Sequence, residues 1–78
     1  MVSRRLEIRY DAEADAAYIY VVARGPGRTV ARTTFCDVEW EGSAASLDLD
    51  AKGGLLGVEI LGASKVLPAS LLVEDQPE

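Results

Sequence analysis

Four residues of the segment DLDAKGGLLGVE have the types and spacing of a calcium-binding loop. Asp48, Asp50, Gly53 and Glu59 occupy its first, third, sixth and twelfth positions, where an EF-hand uses carboxylates and one glycine. Lys52, however, places a cation at the fifth position, where the ion needs an oxygen. The flanking residues alternate between apolar and polar, which predicts strands rather than the helices of an EF-hand. The sequence therefore predicts a β-hairpin with an acidic turn, and no metal site.

Two other groups of residues could in principle do chemistry. Asp11, Glu13 and Asp15 have the residue types of a general acid and base, but carboxylates between two strand-like segments are typical of a solvated turn. Cys36 has no histidine to activate it, because the chain contains none, so a buried or half-buried strand cysteine is the favoured interpretation. We therefore predict no catalytic residue, no cofactor and no metal, and a protein that is not an enzyme.

Three aromatic side chains are the candidates for an interface: Tyr18, Tyr20 and Trp40. The two tyrosines share one face of a strand-like segment whose other face is aliphatic. One short helical element covers only one face of a small sheet, so the tyrosine face would be exposed in a monomer, and exposed patches of this kind usually mark interfaces. A second copy could cover it by face packing or by pairing along an open strand edge. The alternative is that residues 35–45 fold over the tyrosines within one chain.

Strands are the elements that must position these side chains. Period-two alternation and β-branched or aromatic composition predict them at residues 4–10, 17–22, 29–41, 45–50 and 55–61. Beyond them the alternation is lost, Ser64 is a candidate helix cap, and Pro68 restricts any helix to short turns. The predicted fold class is α+β: a small, mostly antiparallel sheet of four or five strands with a short C-terminal helical element. Residues 1–70 form its single domain, and residues 71–78 form a frayed acidic tail.

The last two predicted strands constrain the loop between them. Five apolar residues reach one face together only if the loop holds an even number of residues, two or four. They are Leu47, Leu49, Leu56, Val58 and Ile60. The aspartates between them are expected to face solvent.

Composition and charge narrow the class of protein. The chain has 78 residues, one cysteine and no apolar run near the ~20 residues that span a bilayer, and its N-terminus lacks the apolar core of a secretion signal. A cytoplasmic location without a membrane partner is expected.

The net charge of −5 argues against nucleic acid as a partner. Residues 1–36 carry a net +2 and residues 37–78 a net −7, which favours cross-strand charge pairs within the sheet or a basic patch that meets an acidic partner.

Three blocks of the sequence are similar to one known family. They are YDAEADAAYIYV (10–21), ARTT (31–34) and LDLDAKGGLLGVEILGASKVL (47–67). In this order they resemble the small prokaryotic family called domain of unknown function 2283, over roughly residues 6–67. The chain departs from the family pattern at Tyr20, where a polar or basic residue is common, and in a longer segment at 35–45. The resemblance implies a compact, mostly antiparallel sheet with a C-terminal helical element. It assigns no activity to the chain, because the family has none assigned. Members are sometimes encoded beside small putative toxin genes, which implies an antitoxin-like role but assigns it to no residue.

The function predicted from these observations is that of a non-catalytic protein-interaction module. Its partners would be a second copy of the chain, as a homodimer, or a small protein such as a toxin. The alternative is a small-ligand binder, or a minor enzyme, that uses surface carboxylates and tyrosines. This alternative needs a pocket, for which a sheet with one helical element has little room.

Overall fold

The computed structural model describes residues 6–73, which form one five-stranded sheet. All four neighbouring strand pairs are antiparallel, and the strand order is β1-β2-β5-β4-β3. The strands are β1 (Glu7–Asp11), β2 (Ala16–Tyr20), β3 (Arg32–Phe35), β4 (Ala44–Leu49) and β5 (Leu55–Leu61). The predicted start of the first strand at residue 4 and the residues 74–78 of the predicted acidic tail lie outside this range.

The antiparallel sheet is confirmed, but the helical element is smaller than the α+β prediction requires. The described residues contain only two 3₁₀ turns of three residues each, Ala63–Lys65 and Ala69–Leu71, so the fold is mainly β. Pro68 separates the two turns, because its ring and missing N–H do not allow a helix to continue through it. Ser64 is not a cap as expected, since it lies within the first turn, and Gly62 with φ 65° precedes that turn. Within residues 6–73, no helix is long and apolar enough to cross a membrane.

The third strand is much shorter than its sequence pattern predicts. Only Arg32–Phe35 of the predicted 29–41 segment is a strand, and all four of its residues are exposed. It lies at the edge of the sheet and pairs only with β4 among the described strands, so ladder hydrogen bonds support it on one side alone. The following segment carries Asp37, Glu39 and Glu41, and acidic residues are disfavoured in strands.

The β4–β5 hairpin is confirmed, although its loop is odd. Leu47 pairs directly with Val58, as the shared face requires. Five residues separate Leu49 from its partner Leu55, where an even number was expected. A register shift follows at once, because Asp48 pairs with Gly57 and leaves Leu56 as an extra residue in β5. This bulge restores the alternation that an odd loop would otherwise invert.

The core lies on one face of the sheet and is built from small side chains. Ala17, Ala45 and Ile60 meet across β2, β4 and β5, and Ala63 from the first 3₁₀ turn covers them. Partly buried residues surround this cluster: Tyr10, Cys36, Val58, Val66, Leu67 and Leu72. Leu56 is also buried but is not part of this cluster. No large side chain among residues 6–73 is fully buried.

Asp15 ties the β1–β2 turn to the C-terminal turns. Its carboxylate accepts hydrogen bonds from the Tyr10 hydroxyl at 2.7 Å, and from the Ser64 hydroxyl and main-chain N–H at 2.7 and 2.9 Å. Its main-chain oxygen accepts a further bond from Ala63 N–H. The hydrogen bond from Tyr10, followed by those from Ser64, holds the pKa of the Asp15 carboxyl below its usual value. Asp11 caps the turn through Glu13 and Ala14 N–H, as a turn carboxylate is expected to do. Asp15 also lies in the turn, but it is half-buried and its carboxylate is held by Tyr10 and Ser64.

Candidate functional site

The face opposite the core carries two tyrosines in edge-to-face contact, with two arginines above them. Tyr18 and Tyr20 alternate with the core-facing Ala17 and lie with ring centroids 4.7 Å apart. The loop that follows β2 folds back over them, so that the Arg28 guanidinium lies 5.4 Å from the Tyr18 ring and 5.1 Å from the Tyr20 ring. Arg24 lies 5.5 Å from the Tyr20 ring. We call these four residues the tyrosine–arginine surface; its cations are placed over aromatic faces, where they are attracted.

Arg28 is the half-buried centre of this arrangement. Its Nε donates to the Val22 carbonyl at 3.2 Å, and its Nη2 donates to the Leu56 carbonyl at 3.1 Å and to the Tyr18 hydroxyl at 2.7 Å. All three acceptors are uncharged. Among residues 6–73, no carboxylate lies within ion-pair distance of Arg28, and both ion pairs of this range use Glu7. Arg28 is therefore held in place by uncharged acceptors, and the Asp48 carboxylate is connected to it only through the Tyr18 hydroxyl.

Arg24, by contrast, is paired. Its Nε and Nη2 reach the two oxygens of Glu7 on β1 at 3.2 and 2.9 Å. Both ion pairs among residues 6–73 lie within the basic first half, so within this range no direct ion pair joins the two halves.

Asp48 connects the tyrosine–arginine surface to the far edge of the sheet. Its Oδ2 accepts a hydrogen bond from the Tyr18 hydroxyl at 2.6 Å, and its Oδ1 accepts one from the Thr33 hydroxyl on β3, also at 2.6 Å. Asp48 was expected to face solvent, but it is half-buried beneath these partners. Arg28 donates to the oxygen of the same Tyr18 hydroxyl. The resulting continuous chain of hydrogen bonds, which we call the Asp48 network, consists of Arg28, Tyr18, Asp48 and Thr33.

The protonation states of the Asp48 network follow from its hydrogen bonds. The hydroxyl of Thr33, followed by that of Tyr18, lowers the pKa of the Asp48 carboxyl, because both bonds favour the charged form. Burial, and then the hydrogen bond to Asp48, raises the pKa of Tyr18, which Arg28 only partly offsets. At neutral pH the Tyr18 hydroxyl thus keeps its proton, and each Asp48 oxygen accepts one hydrogen bond.

Gly57 is the residue that lets Tyr18 reach Asp48. It pairs with Tyr20 on β2 and with Asp48 on β4, so it lies on the strand between them. A Cβ at position 57 would overlap the Tyr18 ring and hydroxyl. The absence of a side chain therefore opens a path across β5.

The acidic turn uses its carboxylate internally. Oδ1 of Asp50 accepts hydrogen bonds from Lys52 N–H at 2.9 Å and Gly54 N–H at 2.7 Å. Gly53, with φ 83°, takes the left-handed conformation that the turn needs. Within the described part of the chain, no three acidic or cysteine side chains are close enough together to hold a metal ion.

The third aromatic candidate lies apart from the tyrosines. Trp40 is 39% exposed in the connection from β3 to β4, and it makes no ring contact with another described residue. Cys36, at the start of that connection, packs against the core cluster on the other face. The cations over the tyrosine rings come from the loop after β2.

Sequence reasoning missed Arg24, Arg28, Thr33 and Asp48 as members of the site. The only local signal was the segment RGPGR, whose turn could have been expected to return two arginines toward the preceding tyrosine strand.

One protein family matches most of the chain. The family described as "Protein of unknown function (DUF2283)" matches residues 7–64, more than half of the chain. The chain belongs to this family. The segment shared with DUF2283 runs from β1 through the first residues of the first 3₁₀ turn, so it contains the whole Asp48 network and the tyrosine–arginine surface. No curated protein and no solved structure matches the chain.

Proposed function

We propose that the protein is a non-catalytic protein-interaction module. The observation that carries this proposal is how little of its apolar surface the chain buries. The buried hydrophobic residues of the described range are three alanines, one leucine and one isoleucine, while large apolar side chains remain at the surface. A core this small supplies little stability, and a partner that covers exposed apolar groups would add to it.

The open edge of β3 is the first surface that supports the proposal. Phe35 ends this strand with 75% of its surface exposed. An exposed edge also leaves main-chain N–H and C=O groups available to another strand. Val38 and Trp40, in the connection that follows, are exposed as well.

The tyrosine–arginine surface is the second surface that supports the proposal. Tyrosine and arginine are enriched among the residues that dominate binding energy at interfaces. Here the Asp48 network fixes Tyr18 and Arg28 before any partner arrives, so less side-chain entropy remains to be lost on binding.

A second copy of the chain is the simplest partner. A two-fold dimer can bring the basic first half of one chain, net +2, near the acidic second half of the other, net −7. The family resemblance supports a narrower form, in which a cytoplasmic antitoxin-like module covers a small toxin with one of these surfaces.

Sedimentation at micromolar concentration tests the homodimer. We expect a species of twice the 8.4 kDa chain mass. Phe35→Ser should dissociate it if β3 forms the interface, and Tyr20→Ser should do so if the tyrosine–arginine surface does. Val73→Ser, which removes an apolar group that is 69% exposed beyond the second 3₁₀ turn, is the matched control and should leave the mass unchanged. A monomer at every concentration would exclude self-association. A purified small toxin-like protein, titrated against the chain, would then have to bind stoichiometrically for the module to stand.

A further inference from the structure

An open cavity of about 440 Å³ lies between the loop after β2 and the β4–β5 turn. Val22, Ala31, Ala51 and the buried Leu56 give it an apolar lining. We call it the loop cavity. Its volume falls within the range of small-ligand sites.

Two cationic residues line the loop cavity. Arg28 comes from the loop after β2, and Lys52 comes from the turn. Neither has an ion-pair partner within residues 6–73, although the chain as a whole has five more acids than bases. The acid in the lining is Asp50, whose Oδ1 already accepts two main-chain N–H groups of its own turn. The cavity therefore carries a net charge of +1 on a protein of net charge −5.

The remaining donors of Arg28 define what an anion can contact. Nε and Nη2 are used by Val22, Leu56 and Tyr18, which leaves Nη1 without an acceptor among the described residues. One nitrogen offers an end-on contact and not the two-nitrogen fork that a bidentate anion uses. A single negative charge next to an aliphatic group fits this combination better than a phosphate dianion does.

We infer that the loop cavity binds a carboxylate carried on an aliphatic group, with the carboxylate between Arg28 and Lys52 and the aliphatic group against Val22 and Leu56. Both a free branched-chain acid and the C-terminal residue of a polypeptide have this chemistry. The inference goes beyond the proposed function, because it holds whether or not the tyrosine–arginine surface or β3 binds a partner.

Chemical-shift titration of the ¹⁵N-labelled chain tests this inference. The probes are acetyl-Ala-Leu with a free C-terminal carboxylate, its C-terminal amide as a neutral control of the same shape, and 4-methylpentanoate as a free acid. At low salt the free peptide acid should bind with a Kd of about 1 mM, and it should shift the Arg28 Nε–H and the amides of Val22, Ala51 and Lys52. The control peptide with the C-terminal amide should shift none of these resonances. Equal binding of 4-methylpentanoate would show that a free acid is sufficient, stronger binding of 4-methylpentanoate would assign the site to a free acid, and binding of the peptide alone would assign it to a chain end.

We choose Lys52→Gln as the test variant and not Arg28→Ala, because loss of Arg28 would also release the loop that Arg28 positions. Loss of Lys52 should weaken binding of the acid about two- to fivefold, as the loss of an exposed ion pair does. Lys65→Gln removes a cation from the first 3₁₀ turn and should change nothing. The inference is overturned if the amide shifts the same resonances as strongly as the acid, if shifts spread evenly over the surface, or if Lys52→Gln binds as well as the parent.

Discussion

The ring of Tyr18 lies directly over Gly57. Tyr18 starts from β2, crosses β5 at this glycine, and places its hydroxyl 2.6 Å from the Asp48 carboxylate on β4. One side chain thus spans a strand and joins two others that share no ladder hydrogen bonds. Thr33 and Arg28 extend the connection to β3 and to the loop after β2.

Gly57→Ala should destabilise the protein by about 1–3 kcal/mol, because the new methyl group must displace the Tyr18 ring. Urea unfolding measures the loss. Gly25→Ala is the control, since a Cβ there meets nothing within 4 Å, and it should stay within about 0.5 kcal/mol. In a Tyr18→Ala background the Gly57→Ala cost should largely vanish; an undiminished cost would show that Tyr18 is not the obstacle.

Tyr18→Phe keeps the ring and removes the hydroxyl that links Arg28 to Asp48. We expect a loss of about 1–2 kcal/mol, since one bond to a carboxylate and one from a guanidinium disappear together. Tyr20→Phe provides the matched comparison, because no described residue hydrogen-bonds its hydroxyl; its unfolding midpoint should barely move. Equal losses for the two variants would contradict the network.

Asp48 should make stability fall as the pH falls into the acid range. Its folded-state pKa is lowered, so below about pH 5 the unfolded chain takes up protons that the folded chain does not. The stabilisation is complete above the unfolded pKa and is lost as the pH drops through the folded pKa. Asp48→Asn should therefore be less stable than the parent at pH 7, with the difference shrinking toward pH 3. Asp37→Asn, at an exposed position without hydrogen bonds among the described residues, is the control and should match the parent's stability at pH 7. A constant difference for Asp48→Asn across this pH range would refute the linkage.

Calcium should leave the thermal stability unchanged. Asp50 already accepts two amides of its own turn, and Lys52 lies in that turn as a cation. Melting curves with and without millimolar calcium should overlay. A rise of several degrees that Asp48→Asn abolishes would restore the calcium-loop hypothesis.

Local alternation was enough to locate most of the sheet. β1, β2, β4 and β5 each have a face that packs on the core, so their apolar residues recur with period two and their positions were predicted to within a few residues. The opposite faces of Ala17 and Tyr18 followed from the same rule. β3 has no buried residue, and without that constraint its predicted length was wrong.

The site depended on contacts that no local pattern carries. Asp48 is 30 residues from Tyr18 in sequence, and a polar residue in an alternating strand has the same pattern whether it faces water or a tyrosine. Arg28 becomes part of the site only because its loop folds back over β2. The bulge at Leu56 was missed for a related reason: alternation fixes which residues share a face, but two different combinations of loop length and bulge satisfy it.

The strand order has a consequence for how the chain is made. β5 is the middle strand of the sheet, yet it is the last strand in sequence. At bacterial or eukaryotic elongation rates, about 2–8 s pass between synthesis of Tyr20 and Leu61. During this time the β1–β2 hairpin has no third strand, and a two-stranded hairpin is marginally stable alone. The two halves of the sheet remain separate in the nascent chain, with the inner edge of β2 uncovered, until the strand that joins them has been translated.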